Sequence, residues 1–240
     1  MPATCDIPGR DDLRVVVTDR RDGDFHPTHV EALVLAARRR EVADHPWTQL
    51  REDHGCIVVE VDSPGAHDGS DGDVLLTRTP GAVLGVWVGD CAPVCLVGDD
   101  WVAAVHAGWR GVRDGVLEAA CRALFDRGDT VRHALIGPRI GPCCYEFGRD
   151  DLDDMVRRFG GGASGRDSHG RPALDVSYCV SAAIRDAVGV DVVVRDMDRC
   201  TGCDDRYFSH RARRESGRHV MAVWIEPSSS GPGNANGVGS

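Results

Sequence analysis

Two apolar runs of strand length lie close together in the middle of the chain, and each ends in a reactive side chain. Residues 82–88, Ala-Val-Leu-Gly-Val-Trp-Val, run into Gly89-Asp90-Cys91, and residues 101–105, Trp-Val-Ala-Ala-Val, run into His106-Ala-Gly-Trp-Arg-Gly111. Val- and Trp-rich segments bounded by Gly, Asp and Pro read as strands with tight turns at their ends. A thiolate and an imidazole delivered from neighbouring strand ends could bind zinc or copper, or could form a Cys–His nucleophile pair. Either residue alone has a plainer explanation, Cys91 as a buried small thiol and His106 as a core histidine. The glycines around both favour chemistry, because a core residue seldom needs such backbone freedom beside it.

The chain is long enough, at 240 residues, for one large domain or two small ones. A formal net charge of −10 argues against a nucleic-acid-binding surface. Every one of the 28 Lys and Arg residues is arginine, which excludes a Schiff-base or P-loop lysine. No apolar run approaches the roughly 20 residues of a membrane span. The start, Met-Pro-Ala-Thr-Cys-Asp, lacks the basic-then-apolar pattern of a secretory signal. The 10 cysteines are scattered, so they are expected to be reduced thiols in a cytoplasmic protein, not a disulfide framework.

In chain order, patterning predicts strands at 13–18, 46–51, 56–61, 73–77, 82–88, 101–105, 131–136, 190–195 and 218–225. Helical spacing predicts helices over 29–39, 111–125, 150–159 and 175–188, the last capped by Asp175 or Ser177. The helix over 111–125 starts just beyond the Gly-Trp-Arg-Gly turn, where its free N–H groups would face an anion. Two Gly-Pro pairs in 137–142 mean a stiff, sharply turning loop. The Gly-rich stretch 160–172 reads as a mobile loop, 207–214 as a basic loop, and 227–240 as a disordered tail. The strands between 47 and 105 stand too close together for a doubly wound βαβ sheet. An α/β or α+β domain over 1–226, with a mixed sheet or two packed sheets and helices outside, fits better.

Four strings carry a resemblance: Gly89-Asp-Cys-Ala-Pro93, His106-Ala-Gly-Trp-Arg-Gly111, Ile136-Gly-Pro-Arg-Ile-Gly-Pro-Cys-Cys-Tyr-Glu-Phe-Gly148, and Cys200-Thr-Gly-Cys-Asp204 followed by Phe208-Ser-His-Arg211. Over roughly residues 14–225 the chain resembles the laccase-domain family. That family is also called multicopper polyphenol oxidase, or purine nucleoside phosphorylase of the peptidoglycan-editing type. The resemblance implies a single α/β domain of two packed mixed sheets flanked by helices, similar to the catalytic domain of cytotoxic necrotizing factor toxins. It implies a metal site of His54, Cys91 and His106. His54 sits in Asp53-His54-Gly55 after Gln49-Leu-Arg-Glu52, where the family more often has Gln-Val-His-Gly. Near the N-terminus, Thr18-Asp-Arg20-Arg-Asp-Gly23 keeps the Arg and one Gly of the family's Thr-Thr-Arg-x-Gly-Gly element.

Two imidazoles and one thiolate make a three-ligand zinc site with an open fourth position, the pattern of a catalytic site. With zinc, such a centre binds an anion or lowers the pKa of a water to about 7. Arg20 and Arg110 are expected to hold phosphate, Tyr145 to stack on a base, and Arg211 and His210 to meet substrate. Cys91 and His106 would take part in catalysis, and Asp73 is the expected general acid/base, ahead of Asp90. The activity the resemblance implies is zinc-dependent phosphorolysis of adenosine, inosine, guanosine and methylthioadenosine, with adenosine deamination beside it. The expected partners are a purine nucleoside and phosphate, with neither nucleic acid nor membrane, and the expected state is a monomer.

Three alternatives stand beside this. A copper polyphenol oxidase is disfavoured, since blue-copper sites want an axial Met and multicopper chemistry wants His-x-His pairs. A hydrolase with Cys91 as nucleophile and His106 as base would edit peptidoglycan precursors. A metal-binding module without activity is the third. Cys200-x-x-Cys203 has metal-knuckle spacing, but Cys143-Cys144 is vicinal, so a structural or incidental role is expected ahead of a second metal. Trp109 is expected to anchor the core, and the other histidines, His26 included, to be surface or packing residues.

Overall fold

The apolar runs pair into two mixed sheets that pack face to face. The computed structural model describes residues 2–228. Its strands are β1 (Ala3–Cys5), β2 (Leu13–Val17), β3 (Trp47–Gln49), β4 (Val58–Glu60), β5 (Val74–Thr77), β6 (Val83–Val88), β7 (Ala92–Val97), β8 (Val102–Ala107), β9 (His133–Ile136), β10 (Ser164–Arg166), β11 (Pro172–Leu174), β12 (Val193–Asp196) and β13 (His219–Ile225). Its helices are α1 (Ala32–Val42), α2 (Trp109–Asp114), α3 (Val116–Phe125), α4 (Arg149–Phe159), α5 (Val176–Val188) and α6 (His210–Arg213). One sheet has the order β1-β2-β13-β6-β3 and the other β12-β9-β7-β8-β5-β4.

Both faces of both sheets are covered, which is why the strands read as unbroken apolar runs. Val15, Val17, Leu84 and Val86 meet Cys95, Val97, Val102 and Ala104 between the sheets. The alternate residues of the second sheet, Val94, Leu96, Ala103 and Val105, pack on the helices, among them Val116, Leu117, Ala120 and Leu124 of α3. The alternate residues of the first, Val16, Val83 and Val220, pack with Leu35 of α1 and with Trp47. The period-two alternation therefore sorts each strand between two cores.

Several expectations are corrected. Residues 92–97 were not anticipated as a strand, yet β7 is central in its sheet. Pro93 hides it, and is tolerated because it falls at the end of the β7–β9 ladder, where its carbonyl accepts from Gly137 N–H at 2.9 Å. The single helix over 111–125 is two, divided at Gly115, whose φ of +104° ends α2. The expected loop at 160–172 contains the hairpin β10–β11, paired Ser164 with Leu174 through Arg166 with Pro172. Its turn is tied by the Asp167 carboxylate, which accepts from His169 N–H, Arg171 N–H and the Arg171 guanidinium. The basic segment at 207–214 holds α6, capped by Ser209 Oγ accepting from Ala212 N–H at 3.1 Å. Asp175 caps α5 as expected, accepting from Tyr178 N–H at 3.0 Å. Most of the tail, residues 229–240, lies outside the described residues.

Candidate metal centre and pocket

Strand register builds the site. Val74 of β5 lies opposite Val105 of β8, so Asp73 and His106 face each other one step on, and His106 N–H donates to Asp73 O at 2.8 Å. Ala92 of β7 lies opposite Ala107 of β8, so Cys91 and Gly108 face each other just beyond the paired strands. The third residue, His54, comes from the loop between β3 and β4 and sits in the left-handed region at φ +68°. That conformation costs a non-glycine residue about 1–2 kcal/mol.

Asp73 offsets the cost and holds the centre together. One carboxylate oxygen accepts from His54 N–H at 3.0 Å and from His106 Nδ1–H at 2.7 Å. The other accepts from Gly55 N–H at 2.7 Å. Burial pushes the Asp73 pKa up, but the His106 and Asp53 hydrogen bonds outweigh it and hold the carboxyl below its ordinary value. Asp73, expected as the general acid/base, thus stands behind the imidazole and orients it. With Nδ1–H committed to Asp73, His106 keeps Nε2 for a cation.

His54 Nε2 lies 3.6 Å from Cys91 Sγ, and one donor atom each of His54, Cys91 and His106 fall within 4.8 Å of one another. Around a tetrahedral zinc with Zn–S of about 2.3 Å and Zn–N of about 2.0–2.1 Å, sulfur and nitrogen stand about 3.6 Å apart. The Cys91–His54 spacing matches such an ion, and His106 lies close enough to complete the set. Burial raises the Cys91 thiol pKa, but the neighbouring His106 and His54 reverse this and bring it down to about 6. His106 moves the other way: burial lowers its pKa, yet Glu52 and Cys91 lift it well above the ordinary value.

Gly108 makes the close approach possible. A β-carbon there would stand 2.4 Å from His54 Cδ2 and 3.2 Å from Cys91 Sγ. The family-like string around 106–111 thus needs glycine at 108 for room rather than for backbone freedom, since φ is −71°.

The centre lies in a cavity of about 350 Å³ lined also by Trp87, Trp109, Arg110, Tyr145, His210, Arg211 and His26, a volume suited to a small molecule. The Arg110 guanidinium lies over the Trp109 ring at 4.5 Å and that of Arg211 over Tyr145 at 5.1 Å. Stacking uses the face of a guanidinium and leaves its in-plane N–H donors for an anion. Arg20 is elsewhere: it pairs with Glu215 at 2.8 Å and donates to the carbonyls of Asp205 and Tyr207. It braces the 205–215 segment and is not part of the lining. Asp90 borders the cavity, but its carboxylate is taken up by hydrogen bonds. Its carboxylate accepts from Thr201 Oγ1 at 2.7 Å, Ser209 Oγ at 2.7 Å and Arg211 N–H at 2.6 Å. These bonds hold Asp90 at φ +114° beside Cys91, an unfavourable backbone position of the kind found at sites.

Glu52 is the residue that sequence reasoning missed. Its Oε1 accepts from Trp87 N–H at 3.1 Å, while Oε2 is buried without a hydrogen-bond partner among the described residues. Oε2 lies 3.6 Å from His106 Nδ1. Burial pushes the Glu52 pKa up to about 8, so the carboxyl carries a proton at neutral pH. The one available signal was its place two residues before His54, where the family string has Gln. Trp109 and His26, expected in core or surface roles, line the cavity as well. A larger hollow of about 500 Å³ beside α3 and α5 is lined by Cys121, Phe125 and Val188, and neither candidate metal-binding group found among the described residues lies in it.

Comparison with known proteins gives the family and the fold. The sequence model of the multi-copper polyphenol oxidoreductase laccase family matches residues 20–226. A purine nucleoside phosphorylase of Aquifex aeolicus is 29% identical over 177 residues, which covers 74% of this chain and 80% of that protein. Another, from Xylella fastidiosa, is 36% identical over 186 residues, covering 73% of this chain and 71% of that protein. The crystal structure of YlmD from Geobacillus stearothermophilus superposes with a TM-score of 0.82 at 23% identity, over 94% of this chain and 96% of that one, a likeness of fold.

Proposed function

The chain belongs to the multi-copper polyphenol oxidoreductase laccase family, and from that premise we propose that it is a zinc-dependent purine nucleoside phosphorylase. The observation that carries the reading is the convergence of His54, Cys91 and His106 on one point in a cavity flanked by Arg110 and Arg211. Relatives named purine nucleoside phosphorylase at 29–36% identity support the reaction class. Zinc is favoured over copper because the donors match a tetrahedral N/S cage and the cavity lining holds no methionine to serve as an axial ligand.

Phosphorolysis joins a phosphate oxygen to the anomeric carbon of the ribose as the carbon–nitrogen bond to the purine breaks. Bound zinc supplies a positive centre that draws the anion and spreads its charge. Arg110 and Arg211 orient the phosphate through paired N–H donors. Trp87, Trp109 and Tyr145 offer ring faces to the purine. Glu52 holds a proton at Oε2, ready for the departing purine nitrogen, and Asp73 keeps the His106 ring in one tautomer. Adenosine deamination belongs to the same reading, since a buried glutamic acid beside a metal centre is the acid/base that zinc deaminases use.

The test is direct. Purified protein with inosine or adenosine and phosphate should yield ribose 1-phosphate and free purine, lose this activity on chelation, and regain it with zinc. Chromatography separates inosine formed by deamination from the phosphorolysis products. Absence of ribose 1-phosphate with the metal-loaded protein refutes the reading. One observation favours a second reading: Cys91, His106 and Asp73 also line up as a thiolate nucleophile, the imidazolium paired with it and the carboxylate that orients the ring. Alkylation of Cys91 that proceeds equally with and without zinc would favour the nucleophile.

A further inference from the structure

Four cysteines that the pocket does not use meet where the Gly-Pro loop touches the turn after β12. Cys143 and Cys144 come from the single turn of 3-10 helix at Pro142–Cys144. Cys200 and Cys203 come from the turn beyond Asp196. Cys143 Sγ lies 3.5 Å from Cys200 Sγ and 3.4 Å from Cys203 Sγ, and Cys144 Sγ lies 3.4 Å from Cys203 Sγ. All four sulfurs fall within 4.8 Å of one another, and all four are free thiols. The vicinal pair, set aside on spacing, is the missing half of the Cys200-x-x-Cys203 knuckle.

Sulfurs around a tetrahedral zinc at about 2.3 Å stand about 3.8 Å apart. Three of the six sulfur–sulfur distances, at 3.4–3.5 Å, are already within a few tenths of an ångström of that spacing, and the others do not exceed 4.8 Å. Two further features hold the sulfurs together. Gly141 N–H donates to Cys200 Sγ at 3.2 Å, the kind of outer contact that tunes a metal-bound sulfur. At Gly202, between the knuckle cysteines, a β-carbon would stand 2.6 Å from Cys144 Cβ and 2.8 Å from its Sγ. Only glycine lets the turn close over the vicinal pair.

We propose that Cys143, Cys144, Cys200 and Cys203 form a second metal site, structural in kind, which takes one zinc ion as a closed tetrathiolate. Four protein ligands leave no open position, so the site does no chemistry. Binding releases the thiol protons to solvent. Its work is to clamp two pieces of pocket wall. Tyr145 follows Cys144 directly and lines the cavity. Thr201 follows Cys200 and donates to Asp90, the neighbour of Cys91. The ion would thus fix the loops that carry Tyr145 and Arg211.

The test uses the full chain purified under reducing conditions, with zinc counted by elemental analysis. Wild type should hold two zinc ions per chain, Cys91→Ser one and Cys203→Ser one. X-ray absorption at the zinc edge on Cys91→Ser should show four sulfurs at about 2.3 Å. Cobalt loading of the same variant should give intense thiolate-to-metal charge-transfer bands. Should Cys203→Ser fail to fold, the edge spectrum of Cys91→Ser decides alone. The proposal is overturned if Cys91→Ser holds no zinc, if its zinc has nitrogen or oxygen neighbours in place of sulfur, if the site carries iron instead, or if unreduced peptide mapping finds these cysteines in disulfides. Because Cys91→Ser removes a ligand of the pocket centre, its remaining zinc reports on the tetrathiolate whether or not the protein is a phosphorylase.

Discussion

Gly108→Ala tests the pocket centre with a single methyl group. The backbone at Gly108, φ −71° and ψ 153°, suits alanine, so the substitution brings no backbone strain. The new carbon would sit 2.4 Å from His54 Cδ2, where ordinary contact begins at 3.4 Å, a shortfall of 3.4 − 2.4 = 1.0 Å. It would also press on Cys91 Sγ at 3.2 Å. A ligand ring displaced by about 1 Å is well outside the ±0.2 Å that a metal–ligand bond tolerates. Zinc affinity should fall about 10–100-fold, judged by what weaker disturbances of ligand orientation do. Turnover should fall about 100-fold in kcat/KM, equivalent to about 2.7 kcal/mol.

Gly148→Ala is the matched control. Gly148 precedes α4 as Gly108 precedes α2, with nearly the same backbone, φ −63° and ψ 142°, and nothing within 4 Å of a built β-carbon. Both variants incur the same loss of a glycine N-cap, worth a few tenths of a kcal/mol to about 1 kcal/mol. Only Gly108→Ala meets a ligand. The assay is zinc affinity by chelator competition, run beside ribose 1-phosphate formation and the melting temperature. Wild-type zinc affinity and turnover in Gly108→Ala would refute the three-ligand centre, and equal losses in both variants would trace the effect to the cap.

Three further outcomes follow from particular side chains. Asp73→Asn removes the charge that fixes the His106 tautomer and should weaken zinc binding about 10–100-fold; unchanged competition with a chelator contradicts the orienting role. Glu52 holds its proton up to about pH 8, so turnover of the wild type should decline as pH rises through 8, and Glu52→Gln should lack that limb of the profile; persistence of the limb assigns the proton to another group. His219 is fully buried on β13, and burial brings its pKa down to about 4 from 6.5. The unfolded chain takes up that proton first as pH falls, so the stability is complete above pH 6.5 and drains away toward pH 4, by up to about 3 kcal/mol. Denaturant titrations at pH 7 and 4.5 should show this slope reduced in His219→Leu, and an equal slope in both proteins removes His219 as its source.

What could be read from the sequence was the end of each element, and what could not was which ends meet. Cys91 and His106 were legible because each terminates an apolar run at a glycine, a local signal. His54 has no such run behind it and became visible only through a family string. Asp73 was visible as a residue at the start of a strand, but its work depends on the β5–β8 register that sets it opposite His106, a non-local fact. Glu52 looks like one more acid in Leu50-Arg-Glu-Asp53; only the packing of Trp87 and His106 around it makes it a buried acid. Arg20 shows the converse: its motif survives in the sequence, yet Glu215 and two carbonyls hold it away from the cavity. The cysteine quartet failed a spacing rule that expects two spaced pairs, because a rule along the chain cannot see a Gly-Pro turn bring a vicinal pair onto a distant knuckle. In each case the missed information lay in sheet pairing or loop contact between segments far apart in the chain, which local pattern does not encode. The same reasoning locates the candidate centre in this fold: Asp73 and Cys91 sit just before the first residues of β5 and β7, and His106 is the next-to-last residue of β8, so strand ends gather the side chains.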